Sequence, residues 1–240
     1  MRSIFSILFI LVVATGCNED SIVSSDQFES EIQESKVITL AAENNLVVEN
    51  TNGTVSVSAS DTADNILCSI KKKVKSRISD TDAESSLSKI NITYEKISSS
   101  VKIKVNNPNN DNRTYEITLN ILLPDKFNYN LTLGNGTISV ESQTRTLLVY
   151  LGNGSVNANV TLMDTCRANM SVGNGELNLT IPENTNAYLN ASIGNGTISN
   201  NGLGFQNQVV TNKTFSGTLG SGEGQIVLSL GNGNITLNKK

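Results

Sequence analysis

Asp164 and Glu176 are the side chains in the second half of this chain that could serve a hydrolase or lyase. Strand-built enzymes that cleave polysaccharides use clustered carboxylates or paired basic residues, often with calcium. Neither cluster is present here. Glu176 follows Gly173-Asn174-Gly175, whereas Thr137, Ser155 and Thr197 hold the equivalent places after similar tripeptides. A solvated glutamate is therefore the better reading than a catalytic acid. The chain has no histidine, the commonest general base and metal ligand. From Leu131 to Leu237 only eight residues carry charge: Glu141, Arg145, Asp164, Arg167, Glu176, Glu183, Lys213 and Glu223. Calcium β-rolls repeat an aspartate at each turn; asparagine stands in these turns, so no metal and no cofactor is expected. Phosphate loops open helices, whereas each of these glycine turns leads into a strand pattern. The net charge of −4 gives no reason to expect a nucleic-acid partner.

The three cysteines divide into one at the N-terminus and two inside the chain. Arg2, the apolar run Ile4 to Val13, and the small residues Ala14, Thr15 and Gly16 lead to Cys17. A largely apolar run of about ten residues is too short to span a bilayer, which needs about 20. Val13-Ala14-Thr15-Gly16-Cys17 resembles the bacterial lipobox, in which cleavage precedes the cysteine and its thiol takes diacylglycerol. On that reading residues 1–16 are a lipoprotein signal peptide, Cys17 is the lipidation site, and 17–36 is a polar tether. Several acyl chains on one cysteine anchor stably, each buried methylene contributing about 0.8 kcal/mol. Asn18-Glu19-Asp20 resembles the export signal of surface lipoproteins, which favours display at the outer-membrane surface over its periplasmic face. Cys68, between Ile66 and Ile70, has the alternation of a core residue. Two separate buried thiols, Cys68 and Cys166, fit better than a bridge.

The element that positions everything else is a repeat. Gly134-Asn135-Gly136, Gly152-Asn153-Gly154, Gly173-Asn174-Gly175, Gly194-Asn195-Gly196 and Gly231-Asn232-Gly233 recur in alternating sequence, the first four 18, 21 and 21 residues apart. Apolar residues stand three and one before each first glycine and two and, Asn200 excepted, four after each second: Leu131, Leu133, Ile138 and Val140 in the first copy. Each unit is thus two half-buried strands around a glycine turn. Two arrangements meet the pattern. Asn-Gly suits a type I′ hairpin and a meander; alternatively each unit is one rung of a β-solenoid. Equivalent offsets favour the solenoid, and a rung of some twenty residues buries too little to stand without neighbours. Glycine supplies the corner conformation, and the asparagines could stack as an amide ladder.

Before the repeat, 37–125 reads as irregular rungs: short runs near Val37–Leu40, Leu46–Val48 and Val55–Val57, the last after a turn at Asn52-Gly53, then strands near Ile90–Lys96, Val101–Val105 and Tyr115–Leu123. Ser79 to Glu84 opens one short helix, with Ala83, Leu87 and Ile90 on its apolar face. The basic run Lys71-Lys72-Lys73-Val74-Lys75 reads as a solvated face or a protected sheet edge. Between Asn201 and Phe215 the period lengthens into an irregular rung, and Lys239-Lys240 suits a charged terminal cap.

Leu46 to Val57, Tyr115 to Pro124, the Gly-Asn-Gly units, and Phe215 through Leu237 together resemble the bacterial β-strand-repeat putative adhesins, a domain family of unknown function. The likeness covers Val37 to Leu237. It implies an all-β fold, a right-handed single-stranded β-helix over 37–240 with its regular part at 126–240, in the cell envelope. It supplies no catalytic residues.

These readings converge on a lipid-anchored, non-enzymatic envelope protein: an adhesive, scaffolding or spacer module, tethered to the membrane and meeting glycans or envelope proteins. A glycan-active enzyme using Glu176 or Asp164, or an envelope-stress or assembly accessory, are the alternatives. The long Asn/Ser/Thr surface suits glycan binding and equally suits a solvated face with no ligand.

Overall fold

The structure, a computed structural model, describes residues 27–108 and 112–240. The signal segment, Cys17 and the first part of the tether lie outside them. Over the described residues the fold is all-β with one short helix. In chain order the elements are β1 Phe28–Thr39, β2 Asn45–Ser60, β3 Asn65–Ser76, α1 Asp80–Leu87, β4 Asn91–Ile97, β5 Ser100–Asn106, β6 Arg113–Pro124, β7 Asn128–Ile181, β8 Ala187–Asn201, β9 Gln206–Val210, β10 Thr214–Leu219 and β11 Gly224–Lys239.

The strands run on through the Gly-Asn-Gly tripeptides, pairing again at the asparagine after a gap at the first glycine; β7 alone carries three of them. They are not hairpin turns. Leu133 and Ile138 both face the core, although 138 − 133 = 5 is odd and strict alternation would place them on opposite faces. The pleat therefore reverses its phase inside the tripeptide. Gly136, at φ +131°, supplies the step, a conformation closed to L-residues with side chains. Each strand that carries a tripeptide thus has a first half and a second half meeting at a corner.

The strands form one sheet in the order β1-β3-β6-β2-β7-β11-β8-β10-β9, with β4 and β5 on a branch beside β2. Its centre is parallel and in register: Asn52 opposes Asn135 between β2 and β7, and Asn232 opposes Asn174 of β7 and Asn195 of β8. First halves pair only with first halves, and second halves with second halves, giving two columns. At one end the first column continues through β5 to β4 and the second through β6 and β3 to β1. At the other end the first column continues through β10 to β9.

The inward positions make one core. Leu131, Val149, Met170, Leu228 and Ala191 are fully buried in the first column, and Ile138, Val156, Leu177 and Ile235 in the second. The side chains at matching offsets thus share an interior. Spatial order departs from chain order at several places, two of them among the tripeptide strands and their neighbours. β2 lies between β6 and β7, and β11 lies between β7 and β8.

Several expectations from the sequence need correction. The tether does not reach residue 36: Phe28 to Thr39 is a full strand paired along β3. Its apolar content is low, with Ile38 as its one buried hydrophobic side chain. Ion pairs supplement its backbone ladder, Glu29 to Lys73 at 2.6 Å, Glu31 to Lys71 at 2.8 Å and Glu34 to Lys72 at 2.9 Å. The basic run is consequently not an edge; β3 is flanked by β1 and β6. Asn52-Gly53 is a corner inside β2 and not a hairpin turn. Lys239 closes an inner strand instead of capping the stack.

The helix begins where the sequence places it. Ser79 accepts from the Asp82 amide at 3.1 Å, satisfying one of the free N–H groups of the first turn. Ala83 is buried and Leu87 half-buried against the core, with Ile90 buried just past the helix end. Asp82 also binds Arg113 through both guanidinium nitrogens it faces and accepts a hydrogen bond from the Ser76 hydroxyl at 2.6 Å.

Candidate functional site

The fifteen residues of the five tripeptides come together as one corner column, with Asn52-Gly53 as a sixth member. The amide of Asn135 donates to Asn52 Oδ1 at 2.8 Å, Asn153 to Asn135 at 2.8 Å, Asn174 to Asn153 at 2.7 Å, Asn232 to Asn174 at 2.7 Å, and Asn195 to Asn232 at 2.7 Å. All five bonds point the same way along an exposed ridge, so each polarises the next. The glycines stack in the same order. A Cβ on Gly154 would run into the carbonyl oxygen of Gly136, and one on Gly136 into that of Gly53. Only glycine permits so close an approach of successive backbones.

Asn52 belongs to this column although Thr51 stands where the other copies have their first glycine, which hides it in the sequence. Its signal was the offset: Val48, Val55 and Val57 lie where Leu131, Ile138 and Val140 lie in the first repeat. Asn50 takes the inward place of Leu133. It is buried, and its amide donates to the Ile117 carbonyl at 3.1 Å while its oxygen accepts from the Thr51 N–H at 2.8 Å.

Beside the corner the outward side chains of the second column continue the pattern. Asn178 donates to Asn157 at 3.0 Å, Thr197 to Asn234 at 2.7 Å and Asn201 to Asn238 at 2.9 Å. This is a face of aligned amides and hydroxyls, repeating at about 4.8 Å from strand to strand. Glu176 stands on it, exposed, opposite Asn234. Asp164 is elsewhere, in a shallow hollow with Gln143, Thr161 and Pro182, where it accepts from Asn186 at 3.0 Å. The structure does not bring these two carboxylates into one site. Among the described residues no group of three or more histidine, cysteine or acidic side chains is placed to hold a metal.

The remaining titratable groups have structural surroundings. Cys68 and Cys166 are both free and buried; burial pushes the Cys68 thiol up to about 12 and raises that of Cys166, away from nucleophilic use. The Arg113 guanidinium, followed by the Ser76 hydroxyl, holds the Asp82 carboxyl down at about 2. Burial raises Tyr129 to about 12.

No family model and no curated protein matches the sequence. Solved structures do. A putative cell adhesion protein from Clostridium sporogenes superposes with a TM-score of 0.53 at 16% identity, covering 88% of this chain and 100% of that one. That likeness is one of fold. Putative adhesins from Bacteroides fragilis (TM-score 0.25, 9% identity, 85% and 96% coverage) and Parabacteroides distasonis (0.24, 11%, 87% and 97%) also match, too distantly to argue from.

Proposed function

We propose that this chain is a non-enzymatic envelope module: a right-handed β-solenoid, lipid-anchored through Cys17, that presents its aligned amide and hydroxyl face for adhesion or scaffolding. The observation that carries the reading is the corner column with the uncharged rows beside it. Regularly spaced, solvent-facing amides and hydroxyls hydrogen-bond neutral polar polymers such as glycans, and such binding uses no acid, base or metal. The separation of Asp164 from Glu176 supports a binding role over hydrolysis. In-register parallel pairing and the shared interior support the solenoid, as does the likeness in fold to the Clostridium sporogenes protein. Anchoring and export rest on the lipobox-like Val13 to Cys17.

The test compares cells expressing the full chain with cells expressing Cys17→Ala, measuring membrane fractionation and retention on immobilised envelope and host glycans. The proposal expects membrane-bound protein and glycan retention for the parent, with both lost in Cys17→Ala. Cleavage of those glycans, abolished by Glu176→Gln or Asp164→Asn, would replace it with an enzyme.

A further inference from the structure

The two columns finish differently on the β8 side. The first half of β8 is covered by β10, and β10 by β9. The second half, Thr197 to Asn201, pairs with β11 along one edge; among the described residues no strand pairs with its other edge. Ile198 occupies the inward position at which Ile138, Val156, Leu177 and Ile235 are fully buried, yet it is only half-buried. No strand lies beside this rung; the chain turns back at Leu203, whose N–H and carbonyl bond the Asn200 side chain and whose own side chain is buried.

Open edges are usually protected by charge. Two other outer strands follow that rule: β1 carries Glu29, Glu31, Glu34 and Lys36, and β4 carries Glu95 and Lys96. The outer strand of the first column at this end, β9, is uncharged as well, with Val209 and Val210 exposed, but leaves no inward position of a tripeptide strand uncovered. From Gly194 to Asn201 there is no charged residue. Unpaired backbone groups, a half-covered isoleucine and no repelling charge are the properties of a strand-pairing surface.

We propose that the Thr197–Asn201 edge joins two copies of this chain, strand against antiparallel strand, about a twofold axis through Ile198. That register is self-complementary. Ile198 faces Ile198 of the second copy, so each closes the other's rung, and Thr197 faces Ser199, a favourable hydroxyl pair. Head-to-tail stacking would set this uncharged edge against β1, the outer strand of the second column, whose Glu29, Glu31, Glu34 and Lys36 disfavour it. Joining two copies doubles the binding face and points it along both directions of the stack. The inference holds whatever that face binds.

Oxidative crosslinking of the full chain in its own membranes tests the pairing. Ile198→Cys should give a covalent species of twice the chain mass, about tenfold more than the exposed control Thr132→Cys; Ser199→Lys added to it should reduce the yield about tenfold, the equivalent of 1.4 kcal/mol. The pair Thr197→Cys with Ser199→Cys, both outward-facing, reads the same contact without altering the core. The proposal is overturned by yields equal to the control, by a dimer indifferent to Ser199→Lys, or by an adduct to a different protein.

Discussion

The side-chain amide of Asn232 donates to Asn174 Oδ1 at 2.7 Å across 58 residues of chain. Between them in sequence lies β8, whose own Asn195 stacks on the far side of Asn232. The last strand is therefore laid into a slot between two earlier ones, hydrogen-bonded along both edges. Until β11 docks, the facing edges of β7 and β8 are open, so the carboxy-terminal residues complete the column instead of extending it.

Substituting the second glycine of a corner should be far more damaging than substituting an exposed strand residue. Gly154 has φ +131°, and a side chain there meets the Gly136 carbonyl oxygen. Backbone strain and overpacking each cost about 1–3 kcal/mol. Gly154→Ala should lower the melting temperature by roughly 5–20 °C at about 2–4 °C per kcal/mol. Thr132→Ala, measured alongside by calorimetry, should stay within about 0.5 kcal/mol of the parent.

The β1 strand should be the most salt-sensitive part of the fold. Its ion pairs with β3 are solvent-accessible, each worth roughly 0–1 kcal/mol and screened by added salt, and Ile38 is its one buried hydrophobic side chain. Hydrogen exchange in about 1 M salt, where screening acts within about 3 Å, should accelerate in Phe28–Thr39 and leave β7 unchanged. Equal acceleration in both would show that burial, not charge, holds the strand.

Acid should loosen α1 before the columns. The Asp82 carboxyl is depressed to about 2 from an ordinary 3.8, so its contribution is complete above 3.8 and lost as pH falls through about 2. Amide exchange in Asp80–Leu87 should rise across that window. In Asp82→Asn it should already be raised at neutral pH and change little across the same range.

Much of the centre of this fold was legible because its signals are local. Leu131, Leu133, Ile138 and Val140 sit at fixed offsets from a glycine corner, and repetition of those offsets implies a shared interior. The amide ladder follows from the same equivalence. What the sequence did not give away depends on partners far along the chain. Glu29, Glu31 and Glu34 look like tether residues until Lys71, Lys72 and Lys73 are placed opposite them. The insertion of β11 was equally hidden, since Gly231-Asn232-Gly233 and Gly194-Asn195-Gly196 carry the same signature and either could follow Gly173-Asn174-Gly175. No local pattern distinguishes the two orders; only pairing does.

Disulfide trapping decides that order most directly. Neighbouring parallel strands hold equivalent Cα atoms about 4.8 Å apart, within reach of a disulfide, whereas next-nearest strands, about 10 Å apart, are beyond it. Asn174→Cys with Asn232→Cys should form an intramolecular bridge on mild oxidation, and Asn174→Cys with Asn195→Cys should not. A bridge in the second pair and none in the first would mean that the rungs stack in chain order, and the column described here would be wrong.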